Sequence, residues 1–322
     1  MVATLLYLGC NTEPGDDSDA SHEGTAGAVS ASGGDAGARA GALNAGQGGT
    51  PPAGAGQAGA SQGVGGAGVG GVDGGAGTGG GGGGSAEPLT LRVLTFNIKT
   101  GSLSSLQTVA DIIEASGADV VGLQEVDKGT QRAGGVDQPM LLGELTDMQP
   151  FFAPGLHEYD GGQYGVAALV SHDFRAVTVT PHDLEQPAAG EARAALEVRL
   201  ARIQKNADIP DFIFITTHWD LVSENRVAQA EHVNRIGMTG EELAPLLLVG
   251  DLNARSGSEP IDRLLGFWTA ADEAVFGIDW IVHRGERWQV SDVRELTDAD
   301  HPQATTASDH VPVVASYTLA PP

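Results

Sequence analysis

Residues 89–101, LTLRVLTFNIKTG, and residues 119–127, DVVGLQEVD, carry the reading from which the rest of the chain unfolds. The first alternates, with Leu91, Val93 and Thr95 on one face and Arg92, Leu94 and Phe96 on the other, which predicts a strand ending at Asn97. The second is a short valine-rich run, the mark of a buried strand, and delivers the carboxylate of Glu125 at its end. Between them Ser104 and Gln107 form a capping-box pattern that opens a helix carrying Leu106, Val109, Ile112 and Ile113, closed by Gly117.

Outward from this unit the same grammar repeats. Strands are expected over 163–170, 212–217, 245–249, 277–282, 287–293 and 311–318. Ser223 caps a helix that turns Val227, Ala230, Val233 and Ile236 inward and ends at Gly237. Strands outnumber helices, so a layered α+β domain with buried sheets is expected over residues 89–319.

Upstream of Leu89 the texture is different. Residues 11–88 consist almost wholly of Gly, Ala, Ser, Gln and Asp, with too few apolar side chains to offset the entropy of ordering the backbone, and are expected to form a flexible tether. The run Gly79 to Gly84 is part of it: no Gly-Lys-Ser/Thr follows, as a phosphate-cradling loop requires. Residues 1–10, MVATLLYLGC, hold an apolar run too short to span a bilayer, then the only cysteine. With one cysteine, an intramolecular disulfide is excluded. The segment resembles the end of a bacterial lipoprotein signal, with Gly9 before the cysteine that becomes lipidated. Tyr7 and the lack of a basic residue depart from that pattern, and an inert extension is the alternative. The resemblance implies an extracytoplasmic protein, anchored at the cell envelope through Cys10 or otherwise secreted.

The net charge is −25, from 42 acids against 17 bases. The part after Pro88 keeps 34 of the acids and 16 of the bases, including all three lysines. A protein whose affinity came from neutralising nucleic-acid phosphates would show a basic surface, so tight nonspecific binding to duplexes is disfavoured.

Several of the expected strands end in residues that bind metals or move protons: Asn97, Glu125, His218 with Asp220, Asp251 with Asn253, and Asp309 with His310. Asp279 lies within residues 278–282, IDWIV. Buried carboxylates are costly unless paired or bound to a metal, so their recurrence at strand ends suggests one shared site. Any single Asp or Asn of this kind is more often a turn or capping residue, because such side chains bond to nearby backbone groups.

The segments LTFNIKTG, VVGLQEVD, ITTHWD, LLVGDLNA, IDWIV and ASDHVPV resemble, in wording and order, the six signature segments of the endonuclease/exonuclease/phosphatase superfamily. The resemblance spans nearly all of residues 89–319. It implies a four-layer α/β/β/α sandwich in which two mixed β-sheets pack face to face, with the site at one rim. It implies a divalent-metal-dependent phosphoester hydrolase, a phosphodiesterase, a phosphatase or a nuclease, in which water attacks in line without a covalent enzyme intermediate.

By the same resemblance Glu125, Asn97 and Asp309 hold Mg²⁺, or Mn²⁺ in its place, and these are hard oxygen donors as such ions require. His310 lies beside the scissile phosphate, oriented by Asp279. Asp251 and Asn253 position the attacking water and a phosphate oxygen, and His218 donates to another oxygen or to the leaving group. Whether His310 or Asp251 is the base stays open.

Where some nuclease members carry an acid two residues after the first asparagine, this chain has Lys99, a candidate phosphate contact. Between Asp251 and Asp279 the loop is short and its turn reduces to AVFG. Arg132, in residues 128–138, KGTQRAGGVDQ, and Tyr164, in residues 161–171, GGQYGVAALVS, are candidate substrate contacts; a solvated loop and strand packing are the alternatives. Neither segment contains Gly-x-Ser-x-Gly, so no serine-hydrolase elbow is present. The expected partner is a phosphate-ester substrate (small molecule, lipid headgroup or nucleic acid), and the expected state is a monomer. A catalytically inactive, surface-displayed binding module is the competing reading; it predicts lost ligand or proton-transfer residues, whereas every aligned position holds a competent one.

Overall fold

A computed structural model describes residues 87–203, 209–239, 244–274 and 277–321. The signal-like segment 1–10 and nearly all of the expected tether lie outside them. Twelve strands and four helices follow in the order β1 (Leu89–Asn97), α1 (Leu106–Ser116), β2 (Val120–Lys128), α2 (Gln138–Thr146), β3 (Gln149–Tyr159), β4 (Gly162–Val170), β5 (Phe174–Asp183), β6 (Ala194–Arg202), β7 (Phe212–His218), α3 (Ser223–Thr239), β8 (Leu246–Asp251), α4 (Glu259–Leu265), β9 (Thr269–Ala270), β10 (Asp279–Arg284), β11 (Trp288–Glu295) and β12 (Val313–Leu319). None of the described helices is long and apolar enough to cross a membrane.

The strands form two six-stranded sheets, ordered β11-β12-β1-β2-β4-β3 and β5-β6-β7-β8-β10-β9. Each has one parallel pair near its centre, β1 with β2 and β7 with β8, among antiparallel neighbours. The sheets are therefore mixed, as expected. The β1 alternation explains the layering. Leu89, Leu91 and Val93 enter the core between the sheets with Leu196, Val198 and Phe214, while Leu94, Phe96 and Ile98 point the other way, onto Val109, Ile112 and Ile113 of α1 and Leu142 of α2. On the far side, Ala230, Val233 and Ile236 of α3 and Ile261 and Leu264 of α4 cover the second sheet. The result is the four-layer α/β/β/α sandwich.

Local starts and stops follow capping chemistry. Helix α1 is capped by Ser105, whose hydroxyl accepts the Thr108 N–H at 3.1 Å, one residue later than the pattern of Ser104 and Gln107 suggests. Gly117 ends it in a left-handed conformation (φ 64°), which glycine adopts without a Cβ penalty. Helix α3 runs two residues past Gly237, to Thr239. At Gly122 the sheets meet so closely that an added Cβ would lie 2.3 Å from Val249 Cγ2 and 2.6 Å from Thr216 Oγ1. Any other residue there must push aside the Val249 and Thr216 side chains of the facing sheet.

Candidate active site

Three adjacent strands of the second sheet end level with one another. Register places His218 of β7 opposite Asp251 of β8, and Asp251 opposite Asp279 of β10. Neighbouring strands are spaced about 4.8 Å apart, so the three side chains form a row. Asp251 is at its centre, almost fully buried. Its Oδ1 accepts the Asn253 backbone N–H at 2.9 Å and its Oδ2 accepts from Asn97 Nδ2 at 3.1 Å. Burial, then the like charge of Asp279, pushes its pKa up to about 6 against those hydrogen bonds.

His310 closes the row from the loop before β12. Its Nδ1 donates to Asp279 Oδ2 at 2.8 Å, and its Nε2 lies 3.6 Å from Asp251 Oδ2. Burial disfavours the charged ring, but the Asp279 bond and the carboxylates of Asp251 and Asp309 outweigh it and raise its pKa to about 9. His310 is thus an imidazolium at neutral pH. His218 is the opposite case: burial, with Arg193 and His310 as neighbouring positive charges, holds its pKa well below the usual histidine value. Arg193 Nη1 donates to His218 Nδ1 at 2.9 Å. On the other side of the ring, Nε2 lies 3.4 Å from Asp251 Oδ2 and 3.1 Å from Asn253 Nδ2. Asn253, at φ 48°, donates from Nδ2 to the Trp219 carbonyl at 2.9 Å.

The first sheet supplies the other half. A bulge between Leu123 and Val126 places Glu125 at φ 57°, a left-handed conformation that a glutamate adopts only when its surroundings impose it. The flanking Gln124 is tied across the sheets, donating from Nε2 to Thr216 Oγ1 at 3.1 Å. Asn97 at the end of β1 bridges the halves, because its Nδ2 donates both to Glu125 Oε1 at 3.1 Å and to Asp251 Oδ2. Its Oδ1 accepts the Lys99 N–H at 3.1 Å, closing a turn in which Lys99 and Thr100 take φ 45° and 56°. Ser308 Oγ donates to the Asn97 carbonyl at 2.7 Å and so seats Asp309 beside the same turn. The Lys99 ammonium pairs with Asp309 Oδ2.

Asn97, Glu125, His218, Asp251, Asn253, Asp279, Asp309, His310 and Lys99 thus meet at the seam between the sheets. Tyr164 lies next to them: it lines a small pocket with Gly155, Arg193 and His218. Arg132 is committed elsewhere. Its Nε and Nη2 hold the fully buried Asp127 carboxylate at 2.8 and 2.9 Å, and its guanidinium lies 4.8 and 5.1 Å from the ring centres of Tyr159 and Tyr164. It therefore borders the site as a brace under Tyr164. Asp220 turns away from the seam: its side chain accepts from Asn225 Nδ2 at 2.7 Å and from the Val222 N–H at 3.1 Å. Asn225 in turn fastens both backbone groups of Ala188, at 2.7 and 3.0 Å.

Sequence reasoning missed Arg193. It stands immediately before the alternating strand AALEVRLAR, its side chain is only 8% exposed, and Glu191 Oε1 is 2.9 Å away. Its Nε is buried without a hydrogen-bond partner. A buried cation beside a neutral histidine is suited to an anion.

The donor set fits a hard divalent cation. Glu125 and Asp309 supply carboxylate oxygens, and Asn97 Oδ1 keeps a lone pair beyond its bond to Lys99. A second grouping, Asp251, Asp279 and His310, has ligand atoms within 4.8 Å of one another. There the His310 Nδ1 proton is already engaged by Asp279, so this group is better suited to proton handling; Asp279 Oδ1 is buried without a partner.

Two mixed sheets meeting along a seam of carboxylates and histidines define the class to which the chain belongs. A model of the Endonuclease/Exonuclease/phosphatase family matches residues 94–310, and the chain is a member of that family. Solved structures share the fold. A family member from Bacteroides thetaiotaomicron superposes with a TM-score of 0.58 and 19% identity, covering 73% of this chain and 97% of its own. The mannosyl-6-phosphatase of the same organism does so with 0.55 and 17%, covering 70% and 99%. ANGEL2, a 2′,3′-cyclic phosphatase, gives 0.55 and 14%, covering 72% and 96%. No curated protein sequence matches the chain.

Proposed function

We propose that the chain is a divalent-metal-dependent phosphoester hydrolase acting outside the cytoplasm, on small phosphate esters or lipid headgroups in preference to duplex DNA. The observation that carries this reading is the row in which Asp251 stands between His218 and His310, 3.4 and 3.6 Å away, and is joined to Glu125 by Asn97 Nδ2, which lies 3.1 Å from each carboxylate. Two of the structural neighbours are named as phosphatases.

A cation at Glu125, Asp309 and Asn97 would be Mg²⁺ or Mn²⁺, and it supplies Lewis-acid polarisation of a phosphoryl oxygen. The chain's own groups account for the rest. Asp251, ionised above pH about 6, accepts a proton from a water that Asn253 helps to orient. His310, charged and held by Asp279, lies where negative charge develops on the phosphoryl oxygens. His218, held on its Nδ1 side by Arg193, donates to a phosphoryl or leaving-group oxygen. Arg193 and Lys99 add positive charge on either side. The acidic balance of the folded part supports substrates that bind through one phosphate over a long polyanion. A monomer, anchored through Cys10 or secreted, completes the reading.

The test is hydrolysis of bis-p-nitrophenyl phosphate, p-nitrophenyl phosphate and plasmid DNA by the full chain with Mg²⁺, Mn²⁺ or EDTA, beside Glu125→Ala and His310→Ala. Metal-dependent turnover lost in both variants is expected, with the monoester or diester turned over faster than DNA. Absence of turnover on all three substrates with either metal would overturn the proposal and leave a binding module.

A further inference from the structure

One cation already stands among the metal carboxylates. The Lys99 ammonium pairs with Asp309 Oδ2, and the charge of Glu125 acts on it as well. Among the described residues no other lysine or arginine forms an ion pair with Asp309, and none does with Glu125. The side chains of Lys99 and Asp309 are 41% and 48% exposed, so the pair contributes little to folding. The backbone nevertheless brings the two within reach: the turn that Asn97 Oδ1 closes on the Lys99 N–H fixes where the lysine starts, and Ser308 fixes where Asp309 sits.

We infer that Lys99 is a built-in competitor for the divalent cation: cation and ammonium contend for the Asp309 carboxylate, and binding of the cation drives the ammonium off towards a substrate phosphate. This rests on the proposed metal reading. The physical basis is that a dication at Glu125 and Asp309 and an ammonium on Asp309 Oδ2 repel each other across one carboxylate, whose other oxygen, Oδ1, meets the Ser308 hydroxyl at 3.3 Å. Lysine carries a point charge on a flexible four-carbon stem, so it can leave one oxygen and reach another without moving the backbone. By linkage, a phosphate group that takes up the ammonium makes Asp309 more available, so cation and phosphate favour each other's binding through Lys99.

The experiment is calorimetric titration of the full chain with Mn²⁺, for wild type, Lys99→Met, Lys99→Arg and Glu125→Gln, with and without phenylphosphonate. Removing one exposed charge about 4 Å from a dication should tighten Mn²⁺ binding roughly 10- to 30-fold in Lys99→Met, the lower figure allowing for salt screening. Lys99→Arg stays close to wild type, Glu125→Gln binds more weakly, and phenylphosphonate improves Mn²⁺ binding more in wild type than in Lys99→Met. Equal or weaker Mn²⁺ binding in Lys99→Met while wild type binds would overturn the inference alone. No Mn²⁺ binding by wild type or by Lys99→Met would overturn the metal reading together with it.

Discussion

Replacing Asp251 by asparagine should abolish turnover and yet make the protein relatively more stable as pH rises. In the wild-type fold the buried carboxyl has its pKa raised from 3.8 to about 6. A carboxyl raised on folding contributes stability that is complete below its unfolded value and lost as pH climbs through the folded one. The gap between 3.8 and about 6 corresponds to about 3 kcal/mol surrendered between pH 4 and pH 7. Asparagine has no such loss. It also loses something, because its Nδ2 would face the donor Asn97 Nδ2 in place of an accepting oxygen, at a cost of about 1 kcal/mol at any pH. The attraction to His310 disappears as well. The variant should therefore be less stable than wild type at pH 4 and should overtake it near neutrality, with a swing of about 2 to 3 kcal/mol. Urea unfolding in EDTA, followed by tryptophan fluorescence at half-unit steps of pH, reads that swing directly. A stability difference that stays flat between pH 4 and pH 7 would refute the argument that Asp251 is held in a charge-averse setting.

Other perturbations have equally definite outcomes. Turnover should rise through pH about 6 as Asp251 ionises and fall above about 9 as His310 loses its proton, so a pH–rate profile without an acid limb would exclude Asp251 as base. Glu125→Gln should lower kcat by roughly 10²- to 10³-fold at saturating Mg²⁺, with little change in the thermal midpoint. Asp127→Ala leaves the Arg132 guanidinium without its carboxylate, which is itself fully buried, and should cost about 2 kcal/mol in chemical denaturation and raise KM through a loosened Tyr164. Gly122→Ala should destabilise by about 1–3 kcal/mol, because its Cβ would overlap Val249 and Thr216, and should depress kcat along with stability.

The parts of the fold legible in the sequence are those in which an apolar run ends on a polar side chain. Strands β1, β2, β7 and β8 are of this kind, with site residues at or near their ends, while β10 begins on Asp279 and β12 follows shortly after Asp309 and His310. Other elements left weaker marks. Helix α2 is nine residues long, contains Pro139 and Gly143, and follows a glycine-containing loop, so its first residues read as loop. Strand β5 is an edge strand whose outward residues are mostly exposed, so no alternation betrays it. The left-handed Glu125 could not be foreseen, because its conformation is dictated by the pairing of β2 with both β1 and β4. Arg193 was hidden for a similar reason: its partner His218 is 25 residues away and is brought to it only by the pairing of β6 with β7. For Arg132 the sequence suggested a substrate contact; the buried Asp127 that holds its guanidinium is five residues away, but its burial is visible only in the folded domain.

The contact at Gly122 bears on how such a domain can change over time. It lies three residues before Glu125, and Val249, which it touches, lies two residues before Asp251. The two halves of the site are thus clamped near their tips, like the jaws of a gauge set by a shim of zero thickness. Insertions in the rim loops leave that gap unchanged, so the rim can be rebuilt for a new phosphate ester while the distance between Glu125 and Asp251 stays as it is. A side chain at position 122 opens the jaws for every substrate at once.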